Sequence, residues 1–310
     1  MRMKEISSTT ARLLNHFDRL QEIKKKSLIR PITVHLAPTD KCNLDCLFCS
    51  VKKRTMNEIP LYDMKKIVDI YSNLGAKSFE ITGGGDPTCY YGLELLIDHI
   101  YQKNKGVGLI TNGILLNEVS ENALNKLTWL RISLSGVDVG LEKKYYDIDS
   151  SRLPNFTGCS YVYTNNSSEK LVKEISKIAK HLEAKYVRIV PNCYTPKDIE
   201  WGRKNIPPVI SVYPEMFMQI KDYHVPATCY WKYIKPFVNS DGYVYQCSTC
   251  SLFEGKFPEA WRVAKWDEVE KIYNQAPNSY NTKNCTLCFY SRQNELLHDL
   301  LFKVRHPRFL

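Results

Sequence analysis

The sequence of 310 residues has no apolar run that approaches the length of a membrane span, and it contains no internal repeat or low-complexity tract. We also find no secretory signal in it. These absences argue against a membrane protein and a repeat array, and the length suits one large or two modest domains. Eleven cysteines without a secretory signal indicate a reducing compartment, where thiols remain available for metal. We therefore expect a cytoplasmic protein with no membrane partner.

Acidic residues are in the minority, with 33 Asp and Glu against 43 Lys and Arg, which gives a formal net charge of +10. An excess of positive charge favours anionic partners such as phosphorylated sugars, nucleotides, nucleic acid or a reductase with an acidic face. The basic residues are spread along the chain, and the densest run, Lys24-Lys25-Lys26, is typical of a solvated helix face.

Residues 1–30 are predicted to form a basic amphipathic helix. They carry eight Lys or Arg against three Asp or Glu, and five apolar residues recur at helical spacing. These apolar residues are Leu13, Leu14, Phe17, Leu20 and Ile23. A mitochondrial targeting helix is the alternative, but acidic residues interrupt the pattern. We expect a helix packed on the domain that follows.

Patterns typical of strands and helices alternate between residues 32 and 190. The predicted strands cover residues 32–36, 78–82, 107–111, 129–135, 160–164 and 186–190, and helical patterns at 61–74, 93–101 and 169–182 lie between them. Strands that alternate with helices predict a parallel sheet. In such sheets ligands bind at the carboxyl ends of the strands.

A Cys-x-x-x-Cys-x-x-Cys run follows the first predicted strand. Its members are Cys42, Cys46 and Cys49. Three thiolates can hold three irons of a [4Fe–4S] cluster and leave the fourth iron open for an exogenous ligand. The alternatives are a structural zinc site or three buried thiols, but no fourth His or Cys follows within about ten residues, as zinc would need.

This spacing, with the aromatic Phe48 just before the last cysteine, resembles the radical S-adenosylmethionine (radical SAM) superfamily. The resemblance implies an α/β fold, a partial (β/α)6 TIM-like barrel with a small C-terminal α+β cluster-binding domain. It also implies that SAM binds the open iron, that one electron cleaves it, and that the resulting 5′-deoxyadenosyl radical takes a hydrogen atom from the substrate. The electron would come from a flavodoxin- or ferredoxin-type reductant.

The Gly-rich loop after the second predicted strand supports this resemblance. Gly84-Gly85-Asp86-Pro87 is similar to the family's Gly-Gly-Glu-Pro, which receives the SAM amino group. Because Asp is one methylene shorter than Glu, we expect backbone contacts ahead of a carboxylate contact. In isolation such a run is an ordinary turn. Further candidates for SAM contacts, each also explicable as polarity at a strand end, are Asn112, Ser133, Ser135, Asn165 and Arg188.

A second group of cysteines lies in the final third of the chain. Cys229, Gly242 and Cys247 surround a predicted hairpin at Asp241-Gly242, and a Cys-x-x-Cys pair follows about forty residues later. This pattern resembles the twitch domain, the short form of the SPASM extension of radical SAM enzymes. The resemblance implies a second, auxiliary [4Fe–4S] cluster, with four ligands at Cys229, Cys247, Cys285 and Cys288.

A zinc ribbon is the competing interpretation, since Cys247-x-x-Cys250 and Cys285-x-x-Cys288 are two knuckles. If an iron–sulfur cluster forms instead, Cys250 is left over. A free thiol there could donate a hydrogen atom to a substrate radical and so give epimerisation. The alternative interpretation of Cys250 is a buried thiol without a catalytic role. Without a donor, loss of a proton and an electron gives dehydrogenation.

The chain is thus expected to comprise the helix at 1–30, a radical SAM barrel at 31–208 and an auxiliary-cluster domain at 209–310. The substrate is expected to be a small polar or anionic molecule, such as a sugar, a cyclitol or a nucleotide. Radical modification of a peptide or of nucleic acid is the alternative, although the residues before the barrel are too few for a peptide-binding leader domain. A non-catalytic electron-transfer protein is disfavoured, because both SAM-type loops are present.

Overall fold

The computed structural model describes residues 10–219, 224–253 and 255–302. Its strands are β1 (Thr33–Leu36), β2 (Ser78–Ile81), β3 (Gly106–Thr111), β4 (Trp129–Ser133), β5 (Thr157–Tyr163), β6 (Val187–Pro191), β7 (Met216–Met218), β8 (Thr228–Cys229), β9 (Phe237–Val238), β10 (Tyr243–Tyr245), β11 (Arg262–Lys265) and β12 (Tyr280–Asn281). Its α-helices are α1 (Phe17–Lys26), α2 (Leu61–Asn73), α3 (Leu93–Gln102), α4 (Glu121–Leu124), α5 (Glu142–Tyr146), α6 (Glu169–His181), α7 (Pro196–Ile210), α8 (Trp231–Ile234), α9 (Val269–Tyr273) and α10 (Ser291–Leu301).

All six predicted strands are present, and β1 to β6 pair in parallel in chain order. The predicted α/β fold with a partial TIM-like barrel is therefore confirmed. The fourth strand ends at Ser133, earlier than expected, because the chain turns there into the 3-10 helix Leu134–Val139. Along β1, β2 and β4 buried residues alternate with half-buried ones. One face of the sheet is packed under helices, and the other lines the lumen of the barrel.

The C-terminal segment extends the same sheet at both edges. β7 pairs in parallel with β6, and β9 pairs in parallel with β1. The antiparallel strands β10 and β11 follow β9, and the β9–β10 turn has Gly242 at a φ of +79°, as the hairpin prediction requires. β8 and β12 form a separate two-stranded sheet. Strands on both sides of residue 208 thus share one sheet, and the domain boundary stays a prediction.

The predicted helix at 1–30 corresponds to the 3-10 helix Thr10–His16 and to α1, which both contribute to the core, and its residues 1–9 lie outside the described ranges. Leu13, Leu20 and Ile23 are buried, whereas Leu14 and Phe17 are 60% and 63% exposed. The prediction for these two residues was wrong because residues 10–16 form a 3-10 helix, whose period of three shifts the phase of the apolar stripe. Within the described ranges no helix combines the length and the apolar character needed to cross a bilayer.

Candidate functional site

The three-cysteine loop leaves the carboxyl end of β1. Its sulfurs are half-buried and accept hydrogen bonds from several donors around them. The backbone N–H of Leu44 lies 3.5 Å from the Cys42 Sγ, and the Asn112 amide lies 3.8 Å from the same sulfur. Arg54 Nη2 lies 3.5 Å from the Cys49 Sγ. Donors aimed at sulfur stabilise thiolates, which is the form that binds iron.

The three thiols share one neighbourhood. Burial, together with the charges of Cys49 and Cys42, raises the pKa of Cys46 to about 11, although a hydrogen bond from the Ser135 side chain opposes the shift. The pKa of Cys42 is also raised, chiefly by burial. Mutual repulsion of this kind means that the thiolates need a cation between them. The loop therefore fits a [4Fe–4S] cluster with three protein ligands. Phe48 lies half-buried in the turn between Cys46 and Cys49.

The Gly-rich loop is hydrogen-bonded to the start of the cysteine loop. Gly85 N donates to Thr39 O at 3.0 Å, and Asp86 N donates to Lys41 O at 2.8 Å. A Cβ atom on Gly85 would overlap the Lys41 carbonyl oxygen, so only glycine allows this approach. The two loops are therefore one unit at the carboxyl edge of the sheet, as the strand order predicted.

The Asp86 carboxylate is buried and is used by the protein itself. Its Oδ1 accepts from Thr88 N at 2.9 Å and from the Thr111 hydroxyl at 2.8 Å, and its Oδ2 accepts from Asn112 N at 2.6 Å. With the Thr88 hydroxyl, four donors occupy the carboxylate, which is about the number a carboxylate can accept. Asp86 thus caps the turn Pro87–Cys89 and ties the Gly-rich loop to the end of β3.

Three of the polar candidates for SAM contacts, Ser133, Ser135 and Asn112, lie beside the cysteine loop. The Ser133 and Ser135 hydroxyls are 2.9 Å apart at the end of β4. Asn112 Nδ2 also donates to Asn43 Oδ1 at 2.7 Å. Asn165 is different, because it lies exposed in the turn after β5 and is not brought to these residues.

Arg188 lies inside the barrel, in register with Ser160 of β5. Together with residues of the other strands it lines a cavity of about 600 Å³, a volume typical of small-molecule sites. The cavity reaches up to Thr82, two residues before Gly84 of the Gly-rich loop. None of the described residues that line it is a cysteine.

A buried ion pair crosses this cavity. Lys235 Nζ lies 2.6 Å from Glu80 Oε2 and joins the C-terminal segment to β2. Burial opposes ionisation of Glu80, but Lys235, then His35 and Arg131, hold its pKa well below the ordinary value. His35 Nε2 lies 3.4 Å from Glu80 Oε1. Burial lowers the pKa of His35 to about 3, so this imidazole is neutral at physiological pH.

The four cysteines of the twitch-like pattern line a second, smaller cavity. They are Cys229, Cys247, Cys285 and Cys288. Burial raises the pKa of Cys229, and the charges of the other three thiolates raise it further, which places all four sulfurs near one another. In the part of the chain that the structure describes, no three His, Cys, Asp or Glu side chains meet at a distance suited to one metal ion. Four thiolates are a ligand set for either a zinc ion or a [4Fe–4S] cluster.

Cys250 lies outside both cavities. It is fully buried beside Ala37, Phe237, Tyr245 and Trp261. Its thiol donates to the Cys247 carbonyl at 2.9 Å, and burial raises its pKa well above the ordinary value. The side chain therefore packs into an apolar cluster.

A pair of aromatic rings separates the two cavities. Trp231 and Tyr290 line both of them. The Trp231 backbone N–H donates to the Cys229 thiol, and the Tyr290 backbone N–H lies 3.4 Å from the Cys288 Sγ. The two rings that separate the cavities are thus held by backbone hydrogen bonds to two of the four cysteines of the second cavity.

Sequence reasoning missed the charged residues of the lumen, namely His35, Glu80, Arg131 and Lys235. The first three are charged or polar residues inside otherwise apolar strands. That signal was available, since a charged side chain within a buried strand is unusual. Lys235 lies 155 residues from Glu80 and carries no local signal.

Comparison with known proteins agrees with the cysteine and Gly-rich loops. The model of the Radical SAM superfamily matches residues 36–148. The GTP 3',8-cyclase of Staphylococcus aureus (strain JH9) is 33% identical over 132 residues, which are 38% of this chain and 38% of that enzyme. The match thus spans well under half of the curated relative.

Solved structures share the fold over a longer stretch. Streptococcus suis SuiB bound to S-adenosylmethionine has a TM-score of 0.62 over 86% of this chain and 71% of SuiB, with 16% identity. SuiB bound to the precursor peptide SuiA has a TM-score of 0.59 over 85% of this chain and 70% of SuiB, also with 16% identity. Residues 36–148 therefore carry a radical SAM domain match, and the three-cysteine loop inside it is consistent with a radical SAM superfamily enzyme.

Proposed function

We propose that the chain is a radical SAM enzyme that removes a hydrogen atom from a small polar substrate in the barrel cavity. One observation carries the proposal. The Gly-rich loop, hydrogen-bonded to the cysteine loop, follows Thr82 after one residue, and Thr82 lines the upper end of a cavity of about 600 Å³ that extends down to Thr33 and Trp129. A cofactor on the loops and a substrate in the lumen would therefore be neighbours.

The residues that would hold SAM follow from the same geometry. Gly84 and Gly85 have no side chains, so a ligand can approach their backbone N–H and C=O groups. The Ser135 hydroxyl lies beside Cys46, and the Ser133 hydroxyl is hydrogen-bonded to that of Ser135. Asp86 would hold the Gly-rich loop in place rather than contact SAM, because its carboxylate oxygens already accept hydrogen bonds from Thr88, Thr111 and Asn112. Asn112 completes the link between the loop and β3.

The second cavity is proposed to hold an auxiliary [4Fe–4S] cluster on its four cysteines. Cys229 is among the residues that line it and Cys250 is not, which favours the twitch-like ligand set over the zinc ribbon. When bound, the two clusters and SAM supply an acceptor for one hydrogen atom and an acceptor for one electron.

Dehydrogenation is the reaction that the geometry favours. A carbinol that loses a hydrogen atom, a proton and an electron becomes a ketone. Epimerisation needs a hydrogen donor at the substrate carbon, whereas Cys250 is buried away from the cavity and no described lining residue carries a thiol. The Glu80 carboxylate lines the cavity and is held ionised by Lys235, so it is the candidate acceptor of the proton.

Product analysis in deuterated water tests the reaction type. The anaerobically reconstituted protein is supplied with SAM, dithionite and a panel of sugar and cyclitol alcohols, first as the wild type and then as Cys250→Ala. We expect an oxidised product from both proteins. An inverted product with one deuterium at the inverted carbon, lost in Cys250→Ala, would decide for epimerisation.

A further inference from the structure

Two arginines face the barrel cavity from opposite sides of β5. Arg131 lies on β4 and Arg188 on β6, and both line the cavity. Their register partners on β5 are Gly158 and Ser160. Gly158 makes room for the Tyr186 ring, which packs against its backbone and lines the cavity with the two arginines.

Most donors of these guanidinium groups have no hydrogen-bond partner among the residues that the structure describes. Arg131 stacks over the Trp129 ring at 5.6 Å and makes no hydrogen bond to the residues that the structure describes. Arg188 Nη1 donates to Gln219 Oε1 at 3.0 Å, while its Nε is buried and unbonded. A guanidinium carries five N–H donors, so each group retains several for a ligand.

Glu80 is the only carboxylate among the described residues that line the lumen, and it is paired with Lys235 at 2.6 Å. His35, beside it, is neutral. Among the described residues no carboxylate oxygen lies within 4 Å of Arg131 or Arg188. Burial and the charge of Arg131 lower the pKa of Arg188 to about 9. Two half-buried cations that share one carboxylate with Lys235 are short of negative charge, and a bound anion would supply it.

We propose that Arg131 and Arg188 bind an anionic group of the substrate, a phosphate or a carboxylate. This inference rests on the proposed function, since it names the class of molecule that occupies the same cavity. Two guanidinium groups match the charge and the donor geometry of a phosphate monoester most closely.

The position of the pair also limits the size of the substrate. Arg131 precedes Ser133 by two residues on the same face of β4, which places it about 6.6 Å deeper in the barrel. The anion would therefore lie partway along the cavity, which continues past the pair to Thr33, Ser78 and Trp129 at the amino ends of their strands. The reacting carbon would point towards the cysteine and Gly-rich loops. A sugar phosphate or a molecule of similar length fits this span, whereas a folded protein does not.

Anion binding is measured by calorimetry on the reconstituted protein with SAM bound. Inorganic phosphate and, separately, acetate are titrated into the wild type, Arg131→Gln, Arg188→Gln and the control Arg203→Gln, whose side chain is exposed on α7. We expect one phosphate per chain, at least a tenfold higher Kd in each lumen variant, and no change in the control. Tighter binding of acetate than of phosphate, with the same dependence on the two arginines, would assign the site to a carboxylate.

The inference is overturned if neither anion binds saturably, or if the lumen variants bind both anions as the wild type does. Arg131→Lys and Arg188→Lys keep the charge and should recover part of the affinity, which separates lost binding from misfolding. Iron content and circular dichroism check the fold of each variant. Because this assay needs no turnover, its failure is distinguishable from failure of SAM cleavage, which is measured as 5′-deoxyadenosine without any substrate.

Discussion

Trp231 and Tyr290 stack nearly face to face, with ring centroids 4.3 Å apart and an angle of 16° between the planes. The pair forms the wall between the barrel cavity and the four-cysteine cavity. Trp231 also lies two residues after Cys229, so the wall and this ligand are positioned by the same short segment. The stack therefore couples the shape of the substrate site to the integrity of the second metal site.

Replacing this wall should damage the auxiliary site more than the catalytic one. We expect Trp231→Ala to lower stability by about 3–5 kcal/mol, as for other buried aromatic truncations. It should also lower the iron bound by the C-terminal cysteines. Tyr290→Phe, which removes only the 3.2 Å contact between the Tyr290 and Ser248 hydroxyls, is the matched control. Thermal unfolding and iron analysis check both variants, and equal effects would contradict the role of the wall.

The metal of the C-terminal domain is decided by a pair of cysteine variants. The wild type should bind about eight irons per chain, as two [4Fe–4S] clusters require. Cys229→Ala should lose up to about four of these irons, whereas Cys250→Ala should retain all of them. The reason is that Cys229 lines the four-cysteine cavity and Cys250 does not. Stoichiometric zinc that is lost in Cys250→Ala and kept in Cys229→Ala would instead establish the ribbon.

The contact between the Gly-rich and cysteine loops predicts a steric effect at Gly85. A methyl group at this position overlaps the Lys41 carbonyl, so Gly85→Ala should separate the loops and weaken SAM binding at least tenfold, about 1.4 kcal/mol. Gly106→Ala is the control, since its Cβ would lie 3.3 Å from the Ser78 Cβ, away from the loops. Equilibrium dialysis with SAM compares them. Unchanged binding in Gly85→Ala would show that the loops do not act together.

Burial of His35 predicts a loss of stability in mild acid. Its pKa is about 3 in the folded chain and near 6.5 when unfolded, so below pH 6.5 the unfolded chain takes up a proton that the folded chain excludes. Stability should fall by about 1.4 kcal/mol between pH 7.5 and pH 5.5 from this group alone. His35→Asn should flatten that part of the profile. Thermal midpoints of the reconstituted protein measure it, and parallel profiles for the two proteins would refute the assignment.

The strands and the ligand spacing were predictable because they are local patterns. The alternation in Thr33–Leu36 and the spacing of Cys42, Cys46 and Cys49 are both visible within a few residues. The phase of the N-terminal helix was not, since the 3-10 turn at residues 10–16 depends on packing. The internal use of the Asp86 carboxylate depends on Thr111, 25 residues away, and could not be seen in the motif itself.

The charged contacts in the lumen of the barrel could not be predicted either, because they join residues that are far apart in the sequence. Arg188 was a candidate for SAM, but its surroundings depend on Arg131 from another strand and on Gln219 beyond α7. The ion pair between Glu80 and Lys235 joins residues on opposite sides of the proposed domain boundary. Contacts of this kind follow from strand order and register, which periodicity does not supply.

The central claim is that the cluster site of Cys42, Cys46 and Cys49 supports reductive cleavage of SAM. It is tested most directly by measuring 5′-deoxyadenosine after the reconstituted protein is mixed with SAM and dithionite. The account predicts steady formation by the wild type and none above background by the variant with all three cysteines replaced by Ala, which should still retain about four irons in the C-terminal domain. Undiminished 5′-deoxyadenosine from that triple variant, or none from a fully loaded wild type, would contradict it.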